Sequence, residues 1–137
     1  MKPDNNLDKI ILASASLARK QILEQAGFKV IVKPTYAFEE NTIEHPGENV
    51  KSLAQYKLHV FKNSTPNWET LRVPVITADT IVLSKKVILG KPEGEAEAKL
   101  MLQKLSGSVH TVYSGFSIQF PGIIKCVSGY DSAEVTF

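Results

Sequence analysis

Cysteine occurs once in the 137 residues, at Cys126, so no disulfide within the chain can staple the fold. A lone thiol fits a reducing, cytoplasmic compartment. No apolar run approaches the ~18–20 residues that would span a bilayer. The first nine residues, Met1 to Lys9, are too polar for a secretory signal. Charge of one sign is scarce as well: 16 Lys and Arg against 14 Asp and Glu leave a net charge of +2. Lysines scattered among glutamates lack the concentrated basic face of a nucleic-acid binder. The three histidines, His45, His59 and His110, have no metal-ligand spacing, and no Gly-x-Ser-x-Gly nucleophile elbow occurs. Repeats and low-complexity segments are absent. With 43% hydrophobic and 22% charged residues, disorder is excluded, and the length suits one domain with a real core.

What is present reads as alternating strands and helices. Residues 10–15 form a continuous apolar run, the pattern of a strand buried on both faces. Ser16 is an N-cap candidate for a helix over 17–26, with Ile22, Leu23 and Ala26 as its apolar stripe and Gly27 closing it. A second strand spans 29–33. Residues 35–48, with Pro46, Gly47 and four glutamates, read as a loop. Val50, Leu53, Ala54, Leu58 and Phe61 then recur at spacings of three and four, which predicts a helix over 48–62. Residues 73–83 form the strongest central-strand candidate, followed by a short strand at 87–89 and a helix over 94–105. A hairpin of 109–120 and 123–137 turns at Pro121-Gly122. The fold class is therefore α/β, a mixed sheet with flanking helices. Residues 1–9 read as a loose tail and 10–137 as the domain.

Three places carry residues at odds with their surroundings. Asp79 sits inside an apolar strand, where a carboxylate must be paired, cation-bound, protonated or turned to a polar cleft. Lys57 lies near the centre of the apolar arc of its helix, where it either snorkels past the helix end or meets an anion in a cleft. Between a buried strand and a helix start, Ser14-Ala-Ser-Leu-Ala-Arg-Lys20 combines serine hydroxyls and free amides with Arg19 and Lys20. That combination suits phosphate, although the segment contains no glycine and so is neither a Walker loop nor a dinucleotide turn. Glu39, Glu40 and Lys91 complete the polar set. Carboxylates of this kind suit a hard cation such as magnesium rather than zinc.

Six motifs in order resemble the Maf family of nucleoside triphosphate pyrophosphatases. They are Leu12-Ala-Ser-Ala-Ser16 with Arg19, Glu39-Glu40, Leu53-Ala-Gln-Tyr-Lys57, Thr77-Ala-Asp-Thr80, Leu89-Gly-Lys-Pro92, and Leu105-Ser-Gly-Ser-Val-His110 leading into Tyr113-Ser-Gly115. The resemblance implies a twisted Maf/ITPase-like sheet with a cleft between two lobes. It implies hydrolysis of a nucleoside triphosphate between the α- and β-phosphates, as house-cleaning of modified or surplus nucleotides linked to septum formation. It makes Asp79 the general base or metal-linked carboxylate. Ser14, Ser16, Arg19, Lys57, Thr80 and Lys91 become substrate contacts, and Glu39 and Glu40 join Asp79 in placing Mg²⁺ or Mn²⁺. A homodimer is compatible with it, and a membrane partner is not expected.

Two departures from the family pattern stand out. Ala18 occupies a position where the subgroup acting on dTTP and UTP has arginine, whereas Thr80 does not match the subgroup acting on 7-methyl-GTP. These two specificity positions leave the base unassigned. The family also continues beyond the motifs present here, so the chain reads as C-terminally shortened. That motivates an alternative expectation: a catalytically silent nucleotide-binding or regulatory module connected with cell-division control.

Overall fold

A computed structural model of the chain describes residues 8–36, 44–84, 87–89 and 94–136. The elements in chain order are β1 (Lys9–Leu12), α1 (Leu17–Gln25), β2 (Lys29–Val32), α2 (Pro46–Asn63), β3 (Val75–Ser84), β4 (Val87–Leu89), α3 (Glu95–Leu105), β5 (Val109–Gln119) and β6 (Cys126–Thr136). Each lies close to its apolar pattern. Helix α2 starts at Pro46, two residues before the start expected at 48 and inside the segment read as a loop, because proline at the first helical turn needs no N–H partner. Strand β1 stops at Leu12, short of the apolar run's end, as the chain turns toward the Ser16 cap of α1.

The strands form one mixed sheet in the order β2-β1-β3-β5-β6, with β4 also on β3. β1 is parallel to β2 and β3, while β3, β5 and β6 run antiparallel in long ladders. The chain steps from β1 outward to β2, then back past β1 to β3. α1 and α2 lie on opposite faces, since Arg19 of α1 reaches Thr80 of β3 while Lys57 of α2 reaches the preceding residue, Asp79.

On one face α2 packs over β3, β5 and β6. Val50, Ala54, Leu58 and Phe61 are buried there, and Leu58 and Phe61 meet Ile11, Ala13 and Val75 in the core cluster. Full burial of each large side chain contributes roughly 1.5–3 kcal/mol. The opposite face differs from expectation. The stripe read for α1 is not a core stripe: no α1 residue is buried, and Ile22 is 64% exposed. α1 packs against β2, a strand with no buried residue of its own.

One detail of the sheet positions the site. β1 accompanies β3 only at Val75 and Ile76, and β4 accompanies it only from Val82 to Ser84. Among the described residues, Thr77 to Ile81 therefore have no strand beside them on that edge, and Asp79 lies in the middle of this opening.

Candidate active site

Backbone geometry delivers the first pair. The carbonyls of Pro74 and Ile76 accept from the N–H groups of Ile11 in β1 and of Ala13 just beyond its end. Alternation along a strand points the Ala78 carbonyl to the same side, where β1 has already ended. The Lys57 ammonium takes that acceptor at 3.0 Å and also donates to Asp79 Oδ1 at 3.2 Å. Lys57 is 8% exposed and Asp79 3%. Lys57 therefore does not snorkel: it meets the anion from the middle of its helix. Burying either charge alone would cost several kcal/mol, and the pairing offsets this.

The second group sits on the other face. Neighbouring strand residues point to opposite sides, so Thr80 faces away from α2. Its Oγ1 accepts from Arg19 Nη2 at 3.2 Å, while Arg19 Nη1 donates to Ser14 Oγ at 2.9 Å. Ser14 Oγ also accepts from the Ser16 N–H at 3.2 Å, and Ser16 Oγ caps α1 by accepting from the Arg19 N–H at 3.3 Å. The segment that joins β1 to α1 thus holds its own arginine in a fixed fork beside β3. Such a planar fork matches phosphate oxygens better than a lysine would.

Ser14, Ser16, Arg19, Lys57, Asp79 and Thr80 are accordingly brought together around the opening in β3. Ala18 is exposed on the first turn of α1, next to this group in the chain. Glu39, Glu40 and Lys91 lie outside the described residues.

Two residues of the site go unassigned by sequence reasoning. Ser114 pairs with Thr80 across the ladder and brings its hydroxyl within 3.5 Å, extending the hydroxyl cluster around Arg19. Gly115 pairs with Asp79 and lies directly under the α2 backbone at Val50. Both belong to the Tyr113-Ser-Gly115 motif, but only strand register assigns them partners.

Among the described residues, no three His, Cys, Asp or Glu side chains gather into a metal cluster. Magnesium asks for less when it arrives with phosphates: one or two carboxylates and substrate oxygens suffice. Asp79 fits that smaller requirement. An apolar cavity of about 340 Å³ lies elsewhere, at the β5–β6 turn, lined by residues such as Trp68, Leu71, Phe120 and Ile123. It contributes none of these polar groups. Among the described residues, no helix is long and apolar enough to cross a membrane.

Comparison with known proteins bears on this arrangement. The family profile described as Maf-like protein matches residues 9–137. The chain belongs to the Maf-like family. A dTTP/UTP pyrophosphatase of Bacillus cereus is 44% identical over 142 residues, covering 99% of this chain and 64% of that protein. A dTTP/UTP pyrophosphatase of Pyrococcus abyssi is 39% identical over 128 residues, covering 93% and 64% respectively. The chain thus spans about 64% of the length of these Maf-like relatives. The structure of the Staphylococcus aureus Ham1 protein superposes with a TM-score of 0.54 at 15% identity, covering 92% of this chain and 70% of that one. At that identity the likeness concerns the fold alone, and it agrees with a Maf/ITPase-like sheet.

Proposed function

We propose that the chain carries a nucleoside triphosphate pyrophosphatase site that releases a nucleoside monophosphate and pyrophosphate. The observation that carries this reading is the buried Lys57–Asp79 pair in the β3 opening, with the Arg19 fork across the same strand. A carboxylate and two cations held this way can place a triphosphate and a water molecule together.

In this reading Asp79 takes the proton of the attacking water, whose oxygen adds to a phosphorus of the α–β bridge. The bridging P–O bond breaks, and its electron pair leaves with the departing phosphate group. Lys57 holds the Asp79 carboxylate in orientation. Arg19, with Ser14, Ser16 and Thr80 around it, binds and neutralises phosphate oxygens, and Lys91 is a further candidate contact. A divalent cation such as Mg²⁺ or Mn²⁺, when bound, supplies charge neutralisation and Lewis-acid polarisation. Asp79 would hold it, with Glu39 and Glu40 as sequence candidates for the same role. The relatives' names make dTTP and UTP the first substrates to try, although Ala18 departs from the residue expected for that preference.

The test is pyrophosphate release from dTTP, UTP, CTP, GTP, ATP and 7-methyl-GTP, with Mg²⁺ and with Mn²⁺, by wild type and by Asp79→Asn. Turnover of at least one nucleotide, reduced about 10²–10⁴-fold in the variant, is the expected result. Well-folded protein that binds nucleotides by calorimetry without hydrolysing any would replace the enzyme with a binding module.

A further inference from the structure

Asp79, Gly115 and Tyr130 form one cross-strand row on the face that α2 covers. α2 passes over this row at very short range, with a glycine at each close approach. Near its start, Gly47 leaves space for the Tyr130 ring. Three residues further on, the Val50 carbonyl group lies where a side chain on Gly115 would begin. The contact at Gly115 is backbone against backbone, so no rotamer change can relieve it. The next turn is anchored too, since Thr77 Oγ1 donates to the Ala54 carbonyl at 2.6 Å. Lys57 follows Ala54 by three positions and finds Asp79 beside Gly115 in the ladder.

We infer that Gly115 is a positioning residue: by having no side chain it sets the depth at which α2 sits on the sheet, and that depth lets Lys57 reach Asp79 and Ala78. A methyl group there would lift α2 at Val50, two helical turns before Lys57. The ammonium would then be drawn away from both of its acceptors on β3. What the pair is for rests on the proposed activity, whereas the dependence of the pair on Gly115 does not.

The experiment reads the Lys57 ammonium by ¹⁵N NMR in the full chain, assigned with Lys57→Met, alongside thermal melting and nucleotide turnover. A buried, hydrogen-bonded ammonium exchanges slowly with water and is seen; a solvated one is broadened away. Gly115→Ala is expected to melt cooperatively, to lose the signal and to lower kcat about 10²-fold, the scale of a misplacement near 1 Å. A retained signal in folded Gly115→Ala overturns the inference whatever the rate. If that variant does not fold in buffer, it is refolded in trimethylamine N-oxide, which favours the compact state: a lost signal in the refolded variant supports the inference, and a retained signal, or a variant that stays unfolded while the wild type tolerates an equal loss of stability from Thr77→Val with its signal intact, overturns it. A wild type that hydrolyses no triphosphate, combined with signal loss in Gly115→Ala, overturns the activity and supports the positioning.

Discussion

Lys57 reaches Asp79 from 22 positions earlier in the chain and binds it at 3.2 Å, inside a sheet face where both are nearly inaccessible. The same ammonium holds the Ala78 carbonyl at 3.0 Å, the acceptor that β1 stops short of. One cation thereby satisfies both a side chain and the backbone of the strand that presents it.

Lys57→Met should destabilise the fold by about 3–5 kcal/mol, because it leaves a buried carboxylate without its cation. Replacing both partners, as in Lys57→Met with Asp79→Leu, should recover most of that loss. Urea unfolding of the two single variants and the double variant closes the cycle. Equal losses in the double variant and in Lys57→Met would contradict the pairing.

Arg19→Lys should cost more in binding than in stability. A lysine cannot serve Ser14 and Thr80 at once with a planar fork. Hydrogen bonds to charged groups contribute about 1.5–3 kcal/mol each, so kcat/KM for the best nucleotide should fall roughly ten- to hundredfold. The melting temperature should stay close to that of wild type. Steady-state kinetics together with a thermal melt would check both halves.

Ser16→Ala removes the hydroxyl that caps α1 and should cost about 1 kcal/mol of stability. The effect should appear as a lowered urea midpoint with an unchanged slope. Since the cap fixes the Arg19 backbone, a modest rise in KM should accompany it.

Thr77→Val removes a buried hydroxyl and leaves the Ala54 carbonyl without that donor. The loss should be about 1–3 kcal/mol, measured by chemical denaturation. Thr80→Val, three positions along β3 and exposed on the opposite face, should change stability by less than about 0.5 kcal/mol. The contrast between these two threonines tests which face of β3 belongs to the core.

Much of this architecture is legible in the residue order. Apolar runs mark the strands, and the three-and-four spacing from Val50 to Phe61 marks α2. Asp79 and Lys57 draw attention because each has the wrong polarity for its position. Their contact is another matter: it depends on how α2 crosses the sheet, and no local spacing encodes a crossing. The same holds for Ser114, which meets Thr80 only through the β3–β5 register. In α1 the pattern misleads, for Ile22 shows helical spacing yet is exposed. Amphipathicity says which side of a helix is apolar, not whether anything covers it. Glu39, Glu40 and Lys91 rest on motif likeness, and the described residues do not include them.

Asp79 and Thr80 are consecutive, yet one serves the face with Lys57 and the other the face with Arg19. A ligand that touches Arg19 and presents its reacting bond to Asp79 must therefore straddle the rim of a single strand, bending over it where β1 has ended and β4 has not begun. A long, flexible polyanion suits that path better than a compact anion does. Ligand length would then be selected by the thickness of a β-sheet, with discrimination against short phosphates arising without any dedicated steric gate.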